Sequence, residues 1–161
     1  EQVEACKALL SELSAERVAR GPAGEHLFGT PRLLRFIEGN GGCVGDAALH
    51  FRQMLQWRDQ ARMADKRRII EGKPWSPESV PGMARFFRLA CADASTYTAE
   101  GHLIWAQCDG RAKFEEMLAV PEEQLFDTLH LMCELREEHL DQLSLARRKL
   151  VKVIQIRDLS G

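Results

Sequence analysis

His130 and Glu134 stand four residues apart in a stretch that reads as helix, and His139 follows one turn later. Side chains at that spacing share a helix face and could ligate one metal ion. A closed site needs further donors, and no third ligand stands out, so solvated helix side chains are the better reading. Gly39-Asn40-Gly41-Gly42-Cys43-Val44-Gly45 invites comparison with a phosphate-cradling loop. In that register Val44 takes the third glycine place, and the loop follows a helix rather than a strand, so a turn between helices fits better. Glu115-Glu116, Glu122-Glu123 and Glu137-Glu138 read as solvated faces and helix starts, not as an acid/base pair. No local Ser-His-Asp or Cys-His arrangement is present, and neither Cys91 nor Cys108 has a neighbour in sequence suited to lower a thiol pKa. Catalysis therefore has no positive feature behind it, and no cofactor or metal is implied.

The 161 residues suffice for a domain with a real core. With 22 Lys and Arg against 24 Asp and Glu, there is no global field to attract nucleic acid. The five cysteines (Cys6, Cys43, Cys91, Cys108, Cys133) are scattered and lack a C-x-x-C pair. That pattern fits reduced, mostly packed thiols in an intracellular compartment better than disulfides or zinc. No apolar run approaches the roughly 20 residues that cross a bilayer.

The elements that would position any site begin with a helix over 2–19, striped by Val3, Cys6, Leu10 and Leu13 and stopped by Gly21-Pro22. Thr30-Pro31 opens a second helix with a capping hydroxyl and proline at the first helical position, and Gly39 reads as its left-handed cap. Asp46 reads as the cap of a third helix running to about Arg62, and the two helices should pack as a hairpin. Residues 65–71 form a basic helical turn. Residues 72–82, with Pro74, Pro77 and Pro81, form a loop that Trp75 could anchor. A short helix over 83–90 precedes a polar loop over 93–100.

The first strand is expected over 101–107, with His102, Ile104 and Ala106 facing one way and Leu103 and Trp105 the other. A short helix over 112–119 and a long one over 121–148 follow. The stripe of the long helix is Leu125, Leu129, Met132, Leu135, Leu140, Leu143, Ala146 and Leu150. Val151, Val153, Ile154 and Ile156 then fall on both faces of an extended segment, which predicts an interior strand covered above and below. Asp158-Leu159-Ser160-Gly161 reads as its terminal turn. Strand, helix, strand predicts a crossover with the two strands parallel. An interior strand needs a neighbour on each side, so the chain reads as the front part of a larger α/β domain.

Three stretches carry a resemblance. Leu33-Leu34-Arg35-Phe36-Ile37, a glycine turn, then Ala47 to Trp57-Arg58 resembles the helical lead-in of the CRAL-TRIO lipid-binding family, the retinaldehyde-binding, tocopherol-transfer and phosphatidylinositol-transfer group. Glu100-Gly101-His102-Leu103-Ile104 sits where that family has Gly-Arg-Pro-Val opening its first strand. Ile154-Gln155-Ile156-Arg157-Asp158-Leu159-Ser160-Gly161 resembles the family's strand ending in Asp-Leu-x-Gly. The order and spacing match over roughly residues 30 to 161. The implied architecture is an N-terminal helix and linker over 1–29, a helical lead-in over 30–92, and the start of a mixed-sheet α/β lipid cage over 93–161.

The resemblance implies non-enzymatic binding or transfer of a hydrophobic, lipid-like ligand. Leu103, Trp105, Ile154 and Ile156 would line its sheet floor. Taken singly, each of the four fits packing against a helix better. Asn40 stands where phosphoinositide-binding members carry an arginine that helps to hold the head group. Here the run is Glu38-Gly39-Asn40-Gly41, and an amide cannot offer a charge-assisted fork. The implied partners are a phospholipid or similar ligand and a peripheral membrane contact, for which Lys66-Arg67-Arg68 and Arg147-Arg148-Lys149 are the basic groups; an ordinary helix end explains those groups better. The alternative is a scaffold or complex subunit that keeps the fold but not the pocket, with a protein partner pairing along the edge of the last strand.

Overall fold

A computed structural model describes residues 2–160, so Gly161, the last residue of the Asp-Leu-x-Gly stretch, lies outside the described residues. The order of elements is α1 (Gln2–Glu12), α2 (Ser14–Gly24), a 3-10 turn (Glu25–Phe28), α3 (Thr30–Gly39), α4 (Val44–Gln60), α5 (Met63–Arg67), α6 (Met83–Ala90), β1 (Ala92–Tyr97), β2 (Leu103–Cys108), a 3-10 turn (Asp109–Arg111), α7 (Phe114–Leu118), α8 (Glu122–Arg147) and β3 (Val153–Asp158). The fold is mixed α/β. Its residues form two compact units, one running to Ala64 and including Ser144–Leu150, the other comprising Asp65–Leu143 and the chain from Val151 onward.

The first unit is helical. Its core gathers Leu9, Leu13, Leu27, Phe28, Leu33, Ile37, Ala47, Phe51 and Leu55. Phe51 is wedged between Phe28 and Phe36, with ring centroids 5.4 and 4.8 Å away, the tilted geometry that aromatic quadrupoles favour. The single helix expected over 2–19 is two helices. Gly21, at φ 58° and ψ −162°, breaks the helical path inside α2 and serves as the stop read there. The caps also differ from expectation. Gly29, not Thr30, precedes α3, and Cys43, not Asp46, precedes α4; neither end has a side-chain cap bond. Pro31 does occupy the first turn of α3. The left-handed residues that reverse the chain are Gly41 and Gly42 rather than Gly39. Placed two and three residues later, they let the Gly42 amide reach back to the Ile37 carbonyl at 2.9 Å.

The second unit holds a three-stranded sheet in the order β1-β2-β3, with β1 and β2 antiparallel and β2 and β3 parallel. Leu103 pairs with Val153, Ile104 with Ile154 and Ala106 with Ile156. The crossover read from strand, long helix and strand is thus present, with α8 as its helix. The residues 93–100, expected as a polar loop, instead form β1 and the turn beyond it. Ala94 packs into the core, and Asp93 is bonded by both the amide and the hydroxyl of Ser95 where the ladder shifts register. Gly101, at φ 85°, lets the chain reverse between β1 and β2. The Thr98 amide donates to the His102 carbonyl at 2.9 Å and closes the turn.

Helix α8 buries Thr128, Leu131, Met132, Leu135 and Leu140, whereas Ala146, counted into its stripe from the spacing, is exposed. Arg148, at φ 50°, ends it, and the Lys149 amide bonds the Ser144 carbonyl.

Candidate functional site

The two faces of the sheet are unlike. Alternation sends Leu103 and Trp105 of β2 to one face, where they are 0% and 6% exposed. There Trp105 meets the Phe87 ring edge-on at 5.3 Å and has the Arg136 guanidinium 6.0 Å above its ring. Leu131, Met132 and Leu135 of α8 share its cluster, and Leu140 packs with Leu103 and Val151. This face is filled core. Trp75 joins it as the sequence led one to expect: its indole N–H donates to the Ala94 carbonyl at 2.9 Å, and its ring stacks on His139.

The other face carries Ile104 and Ala106 from β2 with Ile154 and Ile156 beside them on β3. Ile154 is 41% exposed and Ile156 52%. The prediction that β3 is covered above and below is therefore not met among the described residues. Val151 is buried and Val153 half-buried, but from Ile154 to Ser160 every residue is exposed. The physical reason is that α8 packs on the Trp105 side of the sheet, whereas on the opposite side Ile104 and Ala106 of the central strand are half-buried and Ile154 and Ile156 of the edge strand stay exposed. At one end of the bare face His102 accepts the Lys152 amide at 3.2 Å. At the other end lie Cys108 and Asp158, with the Asp158 carboxylate taking the amide and hydroxyl of Ser160 at 2.9 and 2.6 Å. Those bonds, strongest from the Ser160 hydroxyl, hold the Asp158 carboxyl below its ordinary range and form the terminal turn read from the sequence.

The five residues expected to line a ligand site are thus separated. Leu103 and Trp105 pack against helices on the filled face, Ile154 and Ile156 stand on the bare face, and Asn40 belongs to the first unit. The Asn40 amide nitrogen donates to the Phe36 carbonyl at 2.7 Å, and its oxygen meets His50 Nδ1 at 2.5 Å, so both ends of the amide tie the α3–α4 turn. Ile104 and Ala106 complete the bare face. Their signal was the alternation over 101–107, which identified the face without saying which side is covered.

Several charged groups on α8 have structural partners. Glu134, 4% exposed, faces Arg67 at 3.8 Å, and Arg67 also bonds Glu138. Lys66 pairs with Asp127 at 2.6 Å. The basic run over 66–68 is thereby largely spent inside the second unit, which removes Lys66 and Arg67 as a free lipid-facing patch. Partial burial and nearby Lys66 hold the His130 imidazole below its ordinary pKa, against a smaller upward pull from Asp127. Among the described residues no group of three His, Cys, Asp or Glu is placed to hold a metal ion.

The crevices described are shallow. One between Phe86, Leu89, Met117 and Leu125 encloses about 20 Å³, room for about one water molecule. Another, beside Pro81, Pro121 and Leu131, is open to solvent. No described helix is long and apolar enough to cross a membrane. The expectation of free, mostly packed thiols is met in part: all five are free, Cys6 is buried and Cys108 and Cys133 are half-buried, but Cys43 and Cys91 are exposed. Comparison of the chain with protein-family models, curated proteins and solved structures finds no match.

Proposed function

We propose that the chain binds a hydrophobic, lipid-like ligand without catalysis, as the front part of a CRAL-TRIO-type domain. The observation that carries this reading is the apolar side of the sheet with half-buried Ile104 and Ala106 and exposed Ile154 and Ile156. A strand of six residues at about 3.3 Å each offers a surface roughly 20 Å long. An acyl chain laid along it gains about 0.8 kcal/mol for each methylene removed from water. Three further features support the family reading: the α3–α4 helix pair carrying Leu33 to Ile37 and Trp57-Arg58, the β2–α8–β3 crossover, and the Asp158 to Ser160 turn after β3. In this reading the floor of the ligand site is the Ile104 side of the sheet, not the Trp105 side.

The test is retention. The protein is incubated with phosphatidylcholine vesicles, separated from them, extracted with organic solvent and analysed by mass spectrometry. Bound phospholipid or fatty acid is expected, and Ile156→Asp should lower the amount at least tenfold. Equal recovery from both proteins, or none from either, contradicts the reading.

A second reading rests on a different observation. No described strand pairs with the outer edge of β3, so its backbone groups are open to a strand from another chain. A scaffold subunit would use that edge. The altered Glu38 to Gly41 run, with Asn40 spent on the turn, favours it. Loss of a protein partner on placing proline at Gln155, with lipid retention unchanged, would favour the scaffold over the lipid carrier.

A further inference from the structure

Beyond the bare face, the end of the β1–β2 ladder brings two cysteines together. Ala92 pairs with Gln107, so the next step outward sets Cys91 opposite Cys108. The Cys108 amide donates to the Cys91 carbonyl at 3.1 Å, continuing the ladder by one rung. The Cys91 amide itself donates to the Phe87 carbonyl, so this one bond joins the two residues; it holds their backbones close enough for the window of roughly 4.4–6.8 Å between Cα atoms that a disulfide spans. Neither residue is buried. Cys91 also occupies a left-handed position, φ 52° and ψ 46°, at the end of α6, where a residue with a Cβ is disfavoured and glycine is usual. The Cys108 thiol is turned toward β3, donating to Asp158 Oδ2 and to the Ser160 carbonyl, each at 3.7 Å.

We infer that Cys91 and Cys108 are a redox pair that closes to a disulfide when a low-molecular-weight disulfide is present. The reaction is ordinary exchange. The exposed Cys91 thiolate attacks one sulfur of glutathione disulfide, forms a mixed disulfide and releases one glutathione thiolate. Cys108 then swings from Asp158, loses its proton, and attacks the Cys91 sulfur. The Sγ–Sγ bond forms and the second glutathione leaves. The pair gives up two electrons and two protons, and one glutathione disulfide becomes two thiols. The closed form takes the Cys108 donor away from Asp158 and Ser160 and so loosens the turn after β3. This proposal does not depend on the lipid reading.

Both cysteines fall in the tryptic peptide 89–111, since no Lys or Arg lies between Arg88 and Arg111. The whole chain is treated with glutathione disulfide, alkylated and digested without reductant. The expected product is a peptide 89–111 that has lost two hydrogens, takes up no alkylating reagent, and regains two alkylation sites after dithiothreitol. In Cys108→Ser the glutathione adduct on Cys91 should persist at least tenfold longer than in the unaltered protein, whereas Cys43→Ser should change nothing. A long-lived Cys91 adduct in the unaltered protein, or a linkage from either cysteine to Cys43, overturns the proposal. Should Cys108→Ser fail to fold, the adduct lifetime and peptide mass of the unaltered protein decide the question alone.

Discussion

The two faces of one small sheet differ in what their side chains meet. On one face Trp105 is buried among α6 and α8 residues and Leu103 against Leu140 and Val151. On the other, Ile104 and Ala106 are half-buried and Ile154 and Ile156 are exposed, with Asp93 and Thr96 of β1 beside them. Burial follows from neighbours, not from residue type. A strand whose side chains are apolar on both faces is built to be covered twice, and here one cover is present. A contiguous exposed apolar surface of this kind marks a binding site or interface more often than a scatter of single residues does.

Substitutions should separate the faces. On the filled face, Trp105→Ala should cost about 3–5 kcal/mol and Leu103→Ala about 2–5 kcal/mol, read as lost stability in urea titration. Next in size, Arg67→Met leaves Glu134 without one of its partners, and Glu134 is 4% exposed. A broken buried pair costs about 3–5 kcal/mol, but Arg67 is one-fifth exposed and its charge is partly screened, so roughly 2 kcal/mol is expected. On the bare face, Ile154→Ala and Ile156→Ala should cost less than about 1 kcal/mol each, because little surface is buried there. A loss of 3 kcal/mol at Ile156 would mean that the bare face is covered after all.

The smallest effect is one of pH. The folded-state pKa of His130 is lowered, so the unfolded chain takes up the proton first. Its contribution to stability is whole above the unfolded value of about 6.5 and is lost as pH falls from there through the lowered folded value. His130→Gln should flatten the stability curve over that range while leaving stability at pH 8 nearly unchanged. A slope unaltered by the substitution would assign the acid sensitivity to another group.

Much of the fold is legible in the residues. The hairpin of α3 and α4, the crossover through α8 and the parallel pairing of β2 with β3 follow from periodicity and order, whereas the stripes do so in part: Val3 and Ala146 are exposed, and Leu9 rather than Leu10 is buried in α1. What is not legible depends on tertiary partners. β1 is hidden because Asp93, Ser95 and Thr96 look like loop residues; pairing with β2 overrides that composition, and Gly101 between two runs was the available signal. Glu134 looks solvated until Arg67, distant in sequence, is brought to it. The assignment of Leu103 and Trp105 to a ligand floor is outweighed by their burial, since alternation separates two faces without labelling either as inner. Asn40 appears as a head-group position only by analogy; its amide serves the turn instead.

The central claim is that the Ile104 side of the sheet is where an apolar chain lies. A palmitic acid carrying a photoactivatable diazirine in its tail, equilibrated with the protein and irradiated, tests it directly. Mass spectrometry of the peptides should place the label on residues 104–106 and 154–156, with competition by unlabelled palmitate. Label confined to residues of α1–α4, or no competable label, would contradict it.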